Sequence, residues 1–365
     1  MAEPLQEPKI LIESWSPVSE IQAFVEETEE CVYFYLWAFP GREDATVRSC
    51  WVCNKQAAPA APDFEAMQQG RPPMMPAAYC DHPDGRKPPE PDTLEIVWFK
   101  EGDAAALLEN GSLLAVIPGW SGEGGFHGYA LFSNEAGPFA WPLKEAEPVL
   151  VERVERSRRF WETFTPERWG QAQQQYLAVL ESFLGGPHEK YYAIDGGHFP
   201  PKAMITAHKE EVLYAFTLGV SLIPQPKVEQ YLGEEGDDSR RIELAFAARI
   251  GALADEKPVL GYLSAQTGLP WGLLTWLGHG HTLSCAEVPG FPYVLLLNGT
   301  LAVGTPSPEL PELDGERVNV LWAIPITEAE YQVATEQGSE ELLRLYKGEA
   351  EQLAIFTGEP KFIRS

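Results

Sequence analysis

Two kinds of hydrophobic pattern alternate along the chain, and the change between them divides it. From Lys9 to about Trp98 the short apolar runs ILIESW, CVYFYLWAF and LEIVWF are rich in β-branched and aromatic residues, with polar stretches between them. Such runs predict β-strands, because branched and planar side chains fit a pleated surface. Ala57 to Pro91 is dense in Pro, Ala and Gly, and its prolines withhold backbone donors, which predicts a long loop. Asn110-Gly111 separates DAAALLE from SLLAVIP and favours a tight turn, the first arm reading equally as a strand or a short helix.

From Glu145 to Gly185 the period lengthens. ERVERSRRFWETF is followed by PERWGQAQQQYLAVLESFLGG, in which Trp161, Phe164, Trp169, Tyr176, Val179, Leu180 and Phe183 recur three or four apart, the spacing of one helix face. Thr165-Pro166 supplies an N-cap with proline at the first helical position, and Gly185 a left-handed C-terminal cap. Two helices are predicted.

The remainder alternates again. KYYAI, EVLYAFTLGVSLI and RRIELAFAARI are candidate strands, as are YVLLLN and LAVG about Asn298-Gly299, and VNVLWAIPI. Lys257 to Leu277 carries helical spacing that Gly268 and Pro270 must break into two pieces. Thr327-Glu328-Ala329-Glu330 is a capping box that should open a helix running toward Tyr346. The expected organisation is a β-rich domain over 1–148, a helical connector over 149–185, and an α+β domain of mixed sheets flanked by helices over 186–365.

An ordered set of segments resembles the suppressor-of-fused (SUFU) family: FLGGPHEKYYAI, a strand ending in TLGVS, the strand RIELAF, the helix-bearing WGLLTWLGHGHTLSCAE, and VNVLWAIPITEAEY with GSEELLRLY. RIELAF is similar to that family's Phe-Glu-Leu-Thr-Phe strand, and the resemblance covers about Tyr176 to Tyr346. It implies a non-enzymatic, protein-binding module with a SUFU-like second domain. In animal members a partner segment adds as a β-strand, held by sheet hydrogen bonds and acidic side chains. Carried over residue by residue, this implies partner-binding roles for Glu243 and for Tyr214, the latter with a one-residue shift that bears on which face it occupies. Bacterial members resemble immunity proteins that neutralise secreted toxins. Sequestration of a regulatory protein's peptide by strand addition is the alternative for the same surface.

Charge sharpens the partner class. With 54 acidic against 27 basic side chains the net charge is −27. Such a surface repels nucleic acid and anionic membrane and draws a basic protein toward it, although acidity also serves solubility alone. The exposed acids of GEEGDDSRR, Glu234, Glu235, Asp237 and Asp238, read either as a solvated loop or as a charged rim leading into the Glu243 strand. No apolar run is long enough to cross a bilayer, and the first residues lack a signal-type pattern, so a cytosolic protein is expected.

Chemical constellations are sparse. The five cysteines are an odd set and indicate no disulfide framework. Cys50, Cys53, Cys80 and His82 could supply four zinc ligands to the proline-rich loop, the alternative being ordinary thiols and no cofactor. Gly119 to Gly128 lacks the lysine of a phosphate loop and reads as a turn, or as a place where a ligand nears Trp120 and His127. His279 and His281 lack a completing carboxylate, and Asp195 with His198 lacks a nucleophile motif. A metal-dependent enzyme built on these His and Cys clusters is the least supported reading, since no cluster combines a base, a nucleophile or metal, and a cause of perturbed pKa values.

Overall fold

The computed structural model describes residues 8–302 and 304–363, with the side chains of Ala66, Glu234, Glu235 and Asp237 outside that description. The chain divides into two compact units, Met1–Thr163 and Phe164–Ser365. The helical stretch is shared: its first helix ends the first unit and its second begins the second.

In the first unit β1 (Lys9–Trp15), β2 (Ile21–Glu27), β3 (Cys31–Ala38) and β4 (Thr46–Asn54) form an antiparallel sheet in sequence order. The long loop that follows holds only a short helix α1 (Phe64–Gln68) as α-helix. Since its prolines cannot pair as a ladder, side chains tie it down: Tyr33 Oη donates to Pro73 O at 2.7 Å, and Asn54 Nδ2 to Met75 O at 2.7 Å. A second sheet comprises β5 (Leu94–Trp98), β6 (Ala105–Glu109), β7 (Ser112–Ile117), β8 (Tyr129–Ala130) and β9 (Trp141–Pro142). Asn110 and Gly111 both take positive φ, 52° and 80°, making the predicted tight turn and settling the first arm as strand β6. Helix α2 (Leu143–Glu162) buries Leu143, Leu150 and Val154 against this sheet. It starts before Pro148 rather than after it, keeping a proline inside the helix.

The second unit opens with α3 (Pro166–Leu184). Thr165 Oγ1 accepts from Arg168 N, and Gly185 closes the helix at φ 78°, as the sequence predicts. An eight-stranded mixed sheet follows, with path β10–β11–β12–β13–β16–β15–β14, and β17 paired to β13 off that path. Its strands are β10 (Lys190–Ala193), β11 (Ala203–Lys209), β12 (Val212–Leu218), β13 (Arg241–Arg249), β14 (Thr282–Ser284), β15 (Tyr293–Asn298), β16 (Val318–Ile326) and β17 (Ile355–Phe356). The helices are α4 (Val228–Leu232), α5 (Lys257–Gln266), α6 (Leu269–Leu273), α7 (Glu328–Glu336) and α8 (Ser339–Arg344). The α5/α6 break falls at Gly268, and the capping box at Thr327 is formed in both directions. Strand β11 is missing from the prediction. LAVG does not return as a strand: Leu301 and Ala302 lie in turns, Val303 lies outside the described residues, and β15 pairs instead with β16. The expected α+β class holds.

The core of this unit gathers Tyr176, Leu180 and Leu184 of α3 with Phe216, Ala245, Ala247, Leu295 and Trp322 of the sheet, and Ile355 of β17. Burial on both faces explains why β13 and β16 read as continuous apolar runs, as central strands do. Each is paired on both sides, and β10 and β14 are the ends of the sheet path.

Candidate functional site

Where β11 turns into β12, the second unit opens a cleft of about 500 Å³. Lys209, Glu210, Glu211, Val212 and Tyr214 line it from the hairpin, Phe183 from α3, Arg249 from the end of β13, and Glu351, Gln352 and Ile355 from the segment around β17. The hairpin is tight, with Lys209 opposite Val212, so only Glu210 and Glu211 form the turn. Glu210 takes φ 54°, a conformation glycine adopts freely and other residues hold at roughly 1–2 kcal/mol. A glutamate persists where glycine would relieve strain, and such outliers concentrate at functional sites.

Tyr214 forms part of the lining. It sits between Ala207 of β11 and Ala247 of β13, small neighbours that leave its ring half-buried. Phe183 meets it edge-on at 5.8 Å, Trp322 lies 6.2 Å away, and Phe216 stacks along the strand at 6.3 Å. Burial raises its hydroxyl pKa, helped by the charge of Glu210, so the phenol stays protonated and available as a donor. Of the two cations, Lys209 is already committed: Nζ donates to Phe183 O at 2.8 Å and lies over the Phe183 ring at 5.3 Å. Arg249 reaches Gln352 Oε1 at 3.5 Å. Glu210, Glu211 and Glu351 are exposed at the same cleft.

Glu243 is not with them. It lies near the far end of β13, six residues from Arg249, or roughly 20 Å at the rise of a strand. It is 1% exposed. Its Oε1 accepts from Gly219 N (2.8 Å), Ser221 N (3.1 Å) and Ser221 Oγ (2.6 Å), and Oε2 from Thr217 Oγ1 (2.7 Å). Burial drives its pKa up, and these hydrogen bonds oppose the rise. Two residues earlier Arg241, fully buried, donates to Ser221 O and Leu222 O and pairs with Glu316 at 2.6 Å and Asp314 at 3.0 Å. Arg241 and Glu243 thus clamp the turn after β12 from both sides. At that turn Gly219 takes φ 97°, and an added Cβ would meet Pro201 O at 2.5 Å. The carboxylate is a buried fold clamp and presents no surface to a partner.

The acidic loop also lies at the Glu243 end of β13. Glu234, Glu235 and Asp237 have side chains outside the described residues, and Asp238 is exposed, its carbonyl accepting from Asn319 Nδ2. The structure brings none of the four to the cleft at Tyr214.

The proposed zinc set is not assembled. Among the described residues no group of three or more His, Cys, Asp and Glu is placed to hold a metal ion. Cys50 Sγ lies 3.5 Å from Tyr129 O beside Gly128, whose Cβ would crowd both Cys50 and Val116 O. Cys53 responds instead to Arg86, and burial pushes its thiol up to about 12. The His82 ring packs on Phe132 at 5.3 Å. Other polar clusters are local structure: Asp195 accepts from Gly197 N and Lys202 N as a turn, and His279 Nδ1 accepts from Asn298 N.

Sequence reasoning missed Lys209, Glu210, Glu211, Glu351 and Gln352. The available signal was HKEE between two β-type runs, a hairpin turn lacking the usual Asn or Gly.

The fold and cleft describe a mixed α/β module with an open binding surface. Residues 194–356 match the family model described as Suppressor of fused protein (SUFU), a segment running from just after β10 to the end of β17. It contains every cleft residue named above except Phe183. The match places this segment in a family of protein-binding modules. A comparison with curated proteins returned no match. Among the described residues no helix is long and apolar enough to cross a membrane.

Proposed function

We propose that this chain is a non-enzymatic protein that captures a basic segment of a partner protein in the Tyr214 cleft, acting as an immunity protein against a basic toxin. The observation that carries the reading is the cleft's composition: an aromatic floor of Phe183 and Tyr214 with Glu210, Glu211 and Glu351 at its mouth, inside the SUFU-matched segment. Aromatic anchors in a partly desolvated pocket are what concentrates binding energy at protein interfaces. The excess of exposed carboxylates at the cleft and the net charge of −27 both favour a cationic partner. One observation favours strand addition as the mode of capture, namely that β17 joins β13 where β16 has stopped pairing.

The test uses the wild-type protein, Tyr214→Ala and Glu211→Lys as baits against extracts of the protein's own cells at low and at high salt. A basic protein should be retained by wild type at low salt and released at high salt. Both variants should retain it at least tenfold less well while melting like wild type. Co-expression with the captured protein should restore growth if that protein is toxic. Equal retention by all three baits refutes the cleft as the capture site.

A further inference from the structure

The large sheet forks at β13. From Arg241 to Ala245 this strand pairs in parallel with Val318 to Trp322 of β16. Beyond that point β16 no longer accompanies it, and Ala247 and Ala248 pair in parallel with Ile355 and Phe356 of β17. A two-residue strand therefore occupies a position in the sheet that could hold a longer one. The residues before it belong to a short 3-10 turn, Ala350–Gln352, and those after it form no regular element.

Few contacts clip this strap in place. Lys361 Nζ donates to Gln352 O at 2.8 Å and to Ile355 O at 2.6 Å, on either side of the strand's start. Glu330 Oε1 accepts from Phe362 N at 2.7 Å and Ile363 N at 3.2 Å, anchoring the far end. Between these anchors the strap supplies Glu351, Gln352 and Ile355 to the cleft, so releasing it would open the cleft along the exposed side of β13. What fits the slot is written by its present occupant: extended backbone with two adjacent bulky apolar side chains, Ile355 and Phe356, 7% and 1% exposed.

We infer that the β17 position is an exchangeable strand slot, in which an extended partner segment carrying two adjacent bulky apolar residues pairs in parallel with Ala247 and Ala248 in place of Ile355–Phe356. The inference rests on the neighbouring cleft being the capture site. In this mode the cleft's glutamates hold the basic part of the segment while its apolar pair enters the sheet, and main-chain hydrogen bonds supply affinity that depends little on sequence. The strap competes from within the same molecule at an effective concentration on the order of millimolar, as tethered segments do. A segment in trans must outbid it.

The probe is a fluorescent peptide with the chain's own sequence from Glu351 to Glu359, so the test needs no natural partner. Lys361→Ala should loosen the strap and bind the peptide at least tenfold more tightly than wild type, by anisotropy. The same peptide with Asp at the positions of Ile355 and Phe356 should not bind. Ala247→Cys with Ile355→Cys, oxidised to lock the strand, should abolish binding. A folded Lys361→Ala protein with no saturable binding, or equal binding by the locked variant, overturns the inference. If Lys361→Ala does not fold, hydrogen exchange on wild type decides: amides 355–356 should open without those of β12 and β16, and opening only on global unfolding overturns it. Failure here with loss of capture in Tyr214→Ala leaves the cleft reading standing. Peptide binding with unaltered capture in Tyr214→Ala does the reverse.

Discussion

Replacing Glu243 separates a fold clamp from a partner contact, the two roles that its structure and its family resemblance assign to it. In Glu243→Ala, four donors, the backbone N–H groups of Gly219 and Ser221 and the hydroxyls of Ser221 and Thr217, lose their acceptor inside a site that is 1% exposed. Each buried donor left unmade costs about 1–3 kcal/mol, but the two hydroxyls can rotate to other acceptors, so the two fixed N–H groups dominate. The loss should be about 3–5 kcal/mol, the range found when one member of a buried charged network is removed. For a unit of this size that is a fall of roughly 8–16 °C in melting temperature.

Glu243→Gln should behave differently. A carbonyl at the Oε1 position keeps three of the four bonds, and the amide can donate to Thr217 Oγ1, whose hydroxyl turns to Leu244 O at 3.3 Å. Stability should stay within about 1.5 kcal/mol of wild type. The pH dependence gives a second reading. Burial raises the Glu243 pKa above its ordinary 4.5, so the folded state binds more protons than the unfolded one between those two values. The stability contributed by this group is therefore highest at low pH and falls as pH rises through that window, and Glu243→Gln should remove the slope. Thermal melts from pH 4 upward, scored beside partner capture at 25 °C, check both points. If Glu243→Ala melts within about 2 °C of wild type, or Glu243→Gln melts normally yet loses the partner, the carboxylate is being read from outside and the clamp argument fails.

Lys361 titrates with the opposite consequence: burial pushes its pKa from 10.5 down to about 8, so the unfolded state binds more protons between those values. Stability should rise by about 1–3 kcal/mol from pH 8 to 10.5, a gain absent in Lys361→Met and visible in denaturant titrations. Glu210→Gly should relieve the left-handed turn and stabilise the second unit by about 0.5–1 kcal/mol while weakening partner capture. With Cys31, Cys50 and Cys53 buried and their thiol pKa values raised by that burial, thiol reagents should label these three only after denaturation. A chelator should leave the melting curve of the first unit unchanged, whereas a metal-dependent fall would restore the zinc reading.

Elements with a local stop or start signal were legible in the sequence. Thr165-Pro166, Gly185 and the Thr327–Glu330 box are self-contained chemistry, and each sits where predicted. Strand β11 escaped because AMITAHK ends in a Lys-Glu-Glu turn that has no residue adapted to positive φ, although Glu210 adopts it. LAVG misled because Asn298-Gly299 imitates a hairpin, whereas Asn298 turns its side chain inward, its Nδ2 donating to Asn319 Oδ1 at 2.9 Å. Glu243 looked like a surface acid because carboxylates are seldom fully buried. Its acceptor role depends on Gly219 and Ser221, more than twenty positions away, and no local pattern carries that. Tyr214 was legible only as a resemblance. Its cleft is completed by residues from three distant stretches of the chain, around Phe183, Arg249 and Glu351.

The overall acidity and the cleft act on different steps of binding, and this separates general attraction from recognition. Exposed charges more than about 8 Å apart are largely screened at physiological salt. Carboxylates remote from the cleft therefore change how fast a basic partner arrives and how steeply that rate falls with salt, but hardly how long it stays. Glu210, Glu211 and Glu351 share the cleft with the rings of Phe183 and Tyr214, where a seated cation loses part of its water and is screened less. Removing them acts mainly on dissociation, the step in which most affinity differences between related complexes arise. A salt-dependent complex alone would thus say only that the chain carries a charge of −27. A dissociation rate that responds to Glu211 and Tyr214, and not to an equal loss of charge at Asp238, would place recognition at the hairpin end of β13.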